Sequence, residues 1–199
     1  MNTPLCPQKA PPRVVLGITG ASGAIYGVRS LHALHDLGVE THLIVTPAGA
    51  LTMRHELNLT PEALAPLAAH VYDIGEIDAC IASGSFPTQG MLIAPCSIRT
   101  LSAVAHSYAD NLLTRAADVT LKEGRPLVLA VRETPLHLGH LRLMVQAAEI
   151  GAVIFPPVPA FYAHPHTIEE LVDQTVGRML ARLGLRDASY TVWQGPRKS

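Results

Sequence analysis

The stretch Arg13-Val-Val-Leu-Gly-Ile-Thr-Gly-Ala-Ser-Gly-Ala-Ile-Tyr-Gly27 decides how this chain folds. Val14 to Ile18 is an unbroken apolar run and reads as a strand buried on both faces. Thr19 to Ala24 supplies a tight turn of small residues. A helix opens behind it over 24–37, with Ile25, Val28, Leu31 and Leu34 on one face and Gly38 as its stop. Such a strand, turn and helix N-terminus form an anion site, because free N–H groups and the positive helix end point at one spot. The strict dinucleotide fingerprint is absent. Gly20-Ala-Ser-Gly23 is G-x-x-G, and the next strand ends in Thr46-Pro47, without the acidic residue expected about 20 positions on. A mononucleotide suits the turn better, the alternative being a plain βα turn whose glycines serve packing.

Working outward, apolar runs at 42–45, 91–94, 127–131 and 152–155 alternate with helical patterns at 49–56, 61–67, 98–105, 111–123, 138–149 and 168–183. A shorter run at 79–82 is a candidate sixth strand. This alternation predicts an α/β fold: a three-layer, doubly wound, mainly parallel sheet of Rossmann-like type. The positions just past each strand are informative, since ligands bind beyond the carboxyl ends of such strands. Those positions carry Thr19 and Ser22, Thr46, Ser97 to Thr100, Arg132 with Glu133, and Phe161 with Tyr162.

The chain has 199 residues, 48% of them hydrophobic, and a net charge of -1. Its length suits one domain over 13–185, flanked by a disordered arm over 1–12 and a tail over 186–199. The near-zero charge gives no field toward nucleic acid. No apolar run reaches the roughly 18 residues of a membrane span. Met1 to Pro12 has no apolar signal core, and three dispersed cysteines form no disulfide framework; a cytoplasmic location is the simplest expectation.

Among residues with chemistry, Arg115, Asp118 and Lys122 share a helix face, either as a solvated ion-paired surface or as a phosphate contact, within this chain or for another subunit. Arg132 and Glu133 at a strand end form either a structural ion pair or a site, in which the arginine would grip a phosphate and Glu133 serve as proton donor or acceptor; the strand-end placement favours the site. Arg178 lies within an amphipathic helix, either snorkelling or held by an anion. His137-x-x-His140 and His164-x-His166 lack neighbouring acids or cysteines in a ligand pattern, so no metal site is expected. Cys96 reads as a buried structural thiol. Trp193 is a lone aromatic that clamps either its own domain or a neighbour.

Several motifs in one order carry a family resemblance: Gly17-Ile-Thr-Gly-Ala-Ser-Gly-Ala-Ile-Tyr-Gly27, Ser83-Gly-Ser85, Pro95-Cys-Ser97-Ile-Arg-Thr100, Asn111 to Asp118, Leu121-Lys-Glu123, Arg132-Glu-Thr-Pro-Leu-His137, Gly151 to Ile154 and Pro159-Ala-Phe-Tyr162. The chain resembles the UbiX-type flavin prenyltransferases over nearly its whole length. These sit in the superfamily of homo-oligomeric flavin-containing Cys decarboxylases, whose Pro-Ala-Ser-Ala-Asn-Thr-like motif is replaced here by Pro95 to Thr100. The resemblance implies a homo-oligomer, commonly a dodecamer, that moves a dimethylallyl group from dimethylallyl phosphate to N5 and C6 of reduced FMN without a metal. The product, prenylated FMN, serves UbiD-type decarboxylases, in quinone synthesis or aromatic-acid decarboxylation. By the same resemblance, Gly20, Ala21, Ser22, Thr46, Ser97, Ile98, Arg99, Thr100 and Arg132 would hold FMN. Ser22, Glu56 and Glu133 would be catalytic, the two acids assisting proton movement. Lys122, Arg132, Tyr162 and Arg178 would bind the prenyl phosphate. Pro47 replaces the usual lysine and Gly124 a common arginine.

Overall fold

The computed structural model describes residues 10–185 and 190–195. Within them, six strands form one parallel sheet: β1 (Arg13–Ile18), β2 (Glu40–Val45), β3 (His70–Tyr72), β4 (Met91–Cys96), β5 (Leu127–Val131) and β6 (Val153–Ile154). Their order is β3-β2-β1-β4-β5-β6. The helices are α1 (Ala24–Asp36), α2 (Pro47–Leu57), α3 (Pro61–Leu64), α4 (Ile98–Ala105), α5 (Leu112–Lys122), α6 (Leu138–Glu149) and α7 (Ile168–Arg182).

Side chains alternate across each strand, and the two faces of the sheet therefore feed two cores. Leu16, Ile18, Leu43, Leu92 and Ala130 pack against Leu31 and Leu34 of α1, Met53 of α2 and Met179 of α7. Val15, Ile44, Ile93, Cys96 and Leu129 pack against Leu101 of α4, Leu113 and Ala117 of α5 and Ala147 of α6. This is the three-layer, doubly wound arrangement expected. Gly27 lets α1 lie on the sheet, since a Cβ there would stand 2.3 Å from the Ala94 carbonyl oxygen and 2.8 Å from Ile18.

Two local expectations change. The run at 79–82 is not a strand: Cys80–Ala82 is a single 3₁₀ turn that plugs Ile81 into the core. The sixth strand is instead β3, pairing with β2 at the sheet edge. Beside that edge, buried His42 contacts the Tyr72 hydroxyl at 2.9 Å and Glu40 at 3.2 Å, stacks on His70 and meets the edge of Phe86. Arg13 completes the group by donating to Glu40 at 2.9 Å. Cys96 is fully buried, and burial pushes its thiol well above the usual range. The first nine residues, most of the predicted arm with Cys6, lie outside the described residues, as do 186–189 and 196–199 of the tail.

Candidate functional site

Strand order reverses between β1 and β4, and in open α/β sheets that reversal opens a crevice at the carboxyl ends. Thr19, 1% exposed, joins the two strand ends. Its hydroxyl donates to the Pro95 carbonyl at 2.7 Å and accepts the Ser97 N–H at 2.9 Å. Ser97 is thereby held as N-cap of α4, its side chain accepting the Thr100 N–H at 3.3 Å and lying 3.1 Å from the Thr100 hydroxyl. The Ile98 and Arg99 N–H groups of that first turn have no partner within the helix. On the other side Thr46 caps α2, accepting the Gly49 N–H at 3.0 Å.

Between these caps lies a cleft of about 1270 Å³, lined by Gly20, Thr46, Pro47, Ala48, Ile98, Arg99, Thr100 and Glu133 among others. It is also lined by Ile74, Ser102, Ala103, His106, Tyr108 and Asp110, none of which the sequence singled out, and by Asn111, Leu113 and Thr114 of the 111–118 motif. Asn111 caps α5 in a reciprocal box with Thr114, and this fixes the return of the chain after α4. An Asn-x-x-Thr spacing is the sequence signal that marks such a cap.

The anion site expected at the N-terminus of α1 has an occupant from the chain itself. Gly23 is the N-cap and has no side chain to bond the helix start. Glu56 reaches over from α2 and accepts the N–H groups of Gly23 and Ala24, each at 2.9 Å. Burial acts to raise the Glu56 carboxyl, but the Ser22 hydroxyl, those two N–H groups and the nearby Arg132 guanidinium outweigh it and hold it below the usual carboxylate range. Ser22, Glu56 and Arg132 thus form one cluster at the start of α1, outside the cleft lining, and Tyr26 beside them has its phenol raised by burial against the opposing effect of Arg132. Glu133, beside Arg132, accepts the Thr134 N–H at 3.0 Å.

Three predicted residues stand apart from the cleft within one chain. Tyr162 lies in the 3₁₀ turn Phe161–Ala163 beyond β6, and Arg178 of α7 is exposed, with its guanidinium 5.6 Å above the Phe155 ring. Lys122 is at the other end of the sheet. It ends α5, pairs with Glu123 at 2.8 Å, and adjoins Gly84 in the segment leading into β4. Arg125 pins that segment, donating to the Gly84 and Phe86 carbonyls at 2.7 and 2.8 Å. Arg115 pairs with Asp118 at 2.9 Å on the same face. Among the described residues no group of three or more His, Cys, Asp or Glu side chains is placed to hold a metal ion. No helix of the described residues is long and apolar enough to cross a membrane.

Doubly wound sheet and cleft together define a mononucleotide-binding α/β protein, and a model of the flavoprotein family matches residues 5–180. The chain is 56% identical over 186 residues to the flavin prenyltransferase UbiX of Salmonella typhimurium, spanning 92% of this chain and 98% of that one. It superposes with a TM-score of 0.92 on the crystal structure of AnUbiX (PadA1) in complex with FMN and dimethylallyl pyrophosphate, at 45% identity, covering 94% of this chain and 100% of that one. A dodecameric FMN-dependent UbiX-like decarboxylase from Escherichia coli is similar at TM-score 0.89 and 42% identity, over 92% and 100% of the two chains. This chain belongs to the UbiX-type flavin prenyltransferases.

Proposed function

We propose that this chain transfers the dimethylallyl group of dimethylallyl phosphate to N5 and C6 of reduced FMN. The observation that carries the reading is the cleft at the β1/β4 reversal, where the open first turn of α4, Arg99 and the hydroxyls of Thr46, Ser97 and Thr100 surround one space. These groups suit a phosphate and a ribityl chain, and the apolar side chains of Ile74, Ile98 and Leu113 suit the face of a planar ring. Pro47 at the start of α2 withdraws an N–H and a cation from this set, which leaves Arg99 the larger share of the phosphate charge.

When bound, reduced flavin supplies the nucleophilic N5 and C6. The protein must then meet the charge that grows on the departing phosphate as its C–O bond breaks. Arg132, Arg178, Lys122 and the Tyr162 hydroxyl are the residues we assign to this, since fixed cations and hydrogen-bond donors serve it best. Closing the new ring takes one proton onto the alkene and removes protons from N5 and C6. Glu133, and Glu56 through the Ser22 hydroxyl, are the groups that move them. Held below its ordinary range, the Glu56 carboxylate is ionised at neutral pH.

Lys122 stands at the far end of the sheet from its own cleft, so it meets the donor in the cleft of a neighbouring subunit. A homo-oligomer, in the pattern of the dodecameric relative, supplies that neighbour. The product is prenylated FMN for a UbiD-type decarboxylase, made in the cytoplasm by a chain that acts as one domain over 13–185.

Anaerobic incubation with reduced FMN and dimethylallyl phosphate, followed by mass spectrometry of the extracted flavin, tests the reaction. A gain of one dimethylallyl unit supports it, and unmodified FMN overturns it for that donor. Parallel reactions with the pyrophosphate ester decide the donor. Lys122→Ala and Arg178→Ala are each expected to stay yellow with FMN and lose transfer. Reassembling mixed subunits of Lys122→Ala and Glu133→Gln, whose glutamate lines its own chain's cleft, restores part of the activity if Lys122 acts across subunits, and none if it does not.

A further inference from the structure

We propose that Gln174 is a positioning residue that straps the C-terminal segment 190–193 onto Tyr162 and so shapes the donor side of the site. This rests on the reading of Tyr162 as a donor ligand. Gln174 is 3% exposed on α7, in a row of buried neighbours that includes Val172, Thr175 and Val176. A primary amide in such a place is costly unless both of its ends are bonded. Both ends go to one residue: Oε1 accepts the Thr191 N–H at 2.6 Å, and Nε2 donates to the Thr191 carbonyl at 2.9 Å. The clamp therefore grips backbone, and the identity of residue 191 does not enter it.

The same carbonyl accepts from the Tyr162 hydroxyl at 3.5 Å, and that hydroxyl also lies 3.5 Å from Gln174 Nε2. Two residues further on, Trp193 meets the Tyr162 ring edge-on, with centroids 5.8 Å apart and planes at 70°. Among the described residues the segment 190–193 lies in no helix or strand, and Trp193 is still 60% exposed when docked. Its position thus depends on the Gln174 clamp, and the direction of the Tyr162 hydroxyl depends on the strap.

Trp193 is the single tryptophan of the chain, so its fluorescence anisotropy reports the strap directly. Gln174→Met keeps the side-chain length and removes the amide. Thr191→Pro removes the clamped N–H at an exposed position, where folding is not at stake. In FMN-loaded protein without donor, both are expected to lower the Trp193 anisotropy. In turnover both are expected to raise the KM for dimethylallyl phosphate about tenfold, the scale of losing a buried hydrogen-bond pair, with kcat and FMN affinity little changed. Thr191→Ala should match the wild type. Unchanged anisotropy, an unchanged KM with lowered anisotropy, FMN affinity falling alongside, or Thr191→Ala behaving like Thr191→Pro each overturns the proposal. A wild-type protein that transfers no dimethylallyl group overturns the functional reading instead, whereas clamp variants that turn over normally overturn only the role of Gln174.

Discussion

Thr19 and Ser97, 78 positions apart, are bonded through the Thr19 hydroxyl at 2.9 Å, and this single group sets how β1 and β4 end. The hydroxyl also donates to Pro95, so Thr19 serves two backbone groups at the floor of the cleft. Thr19→Val keeps the shape and leaves the Ser97 N–H unpaired in the interior, while the Pro95 carbonyl keeps only the Thr19 N–H at 3.3 Å. We expect a loss of about 2–3 kcal/mol, read as a fall in Tm of roughly 4–12 °C. FMN affinity should fall as well, because Ser97 loses its anchor; titration of the apoprotein measures it.

Glu56→Gln removes the charge that caps α1. One amide oxygen replaces two carboxylate oxygens, and the amide NH2 faces helix N–H groups. Losing a cap of this kind costs about 1 kcal/mol. Because the folded carboxyl lies below its ordinary value, its contribution is present above about pH 4.3 and is lost as pH falls through the folded value. Chemical denaturation at neutral pH should separate variant from wild type, and the gap should narrow in acid. Turnover should fall further than stability explains if Glu56 accepts a proton.

His42 gives a second pH dependence. Burial lowers its value, against a raising effect of the Glu40 hydrogen bond, with His70 and Arg13 adding to the lowering; the Tyr72 phenol faces its other nitrogen. A histidine kept neutral in the fold stabilises fully above about pH 6.5, and that stability declines as pH falls through this value. Between about pH 7.5 and 5.5, wild-type Tm should drop more steeply than that of His42→Gln. Parallel slopes would show that His42 is not the group responsible.

Gly27→Ala should be the more damaging of two glycine substitutions. Its Cβ would meet the Ala94 carbonyl, backbone that cannot swing aside, at a cost of at least about 2 kcal/mol. Gly38→Ala meets nothing within 4 Å but sits at φ 66°, a strain of about 1 kcal/mol. Denaturation midpoints of the pair decide it, and equal losses would sink the close-contact argument.

The layers and five of the six strands were legible because strands buried on both faces must be written as apolar runs. β3 was not, since a three-residue edge strand with His70 and Val71 exposed leaves no such run. The run at 79–82 misled because a short apolar stretch plugs a core equally well from a 3₁₀ turn. Residues at strand ends, Thr46, Ser97 to Thr100 and Glu133, could be placed at the cleft from topology alone. The Glu56 contact could not, as it joins α2 to α1 across 33 positions. Arg115 and Lys122 were rightly put on one helix face. What spacing hid was the direction of α5: it starts at the cleft wall with Asn111, and its 11 residues carry its end about 16 Å away.

The carboxylate over α1 also bears on what this scaffold can be turned into. In dinucleotide enzymes the pyrophosphate sits on the first helix of the sheet. Here that pole is already neutralised from within, at Gly23 and Ala24. Adding a third glycine and an acidic residue after β2 would not convert the chain into an NAD enzyme, because the incoming phosphates would be repelled by Glu56. Redesign of cofactor preference in this fold has to begin thirty-three residues downstream of the loop it aims to change.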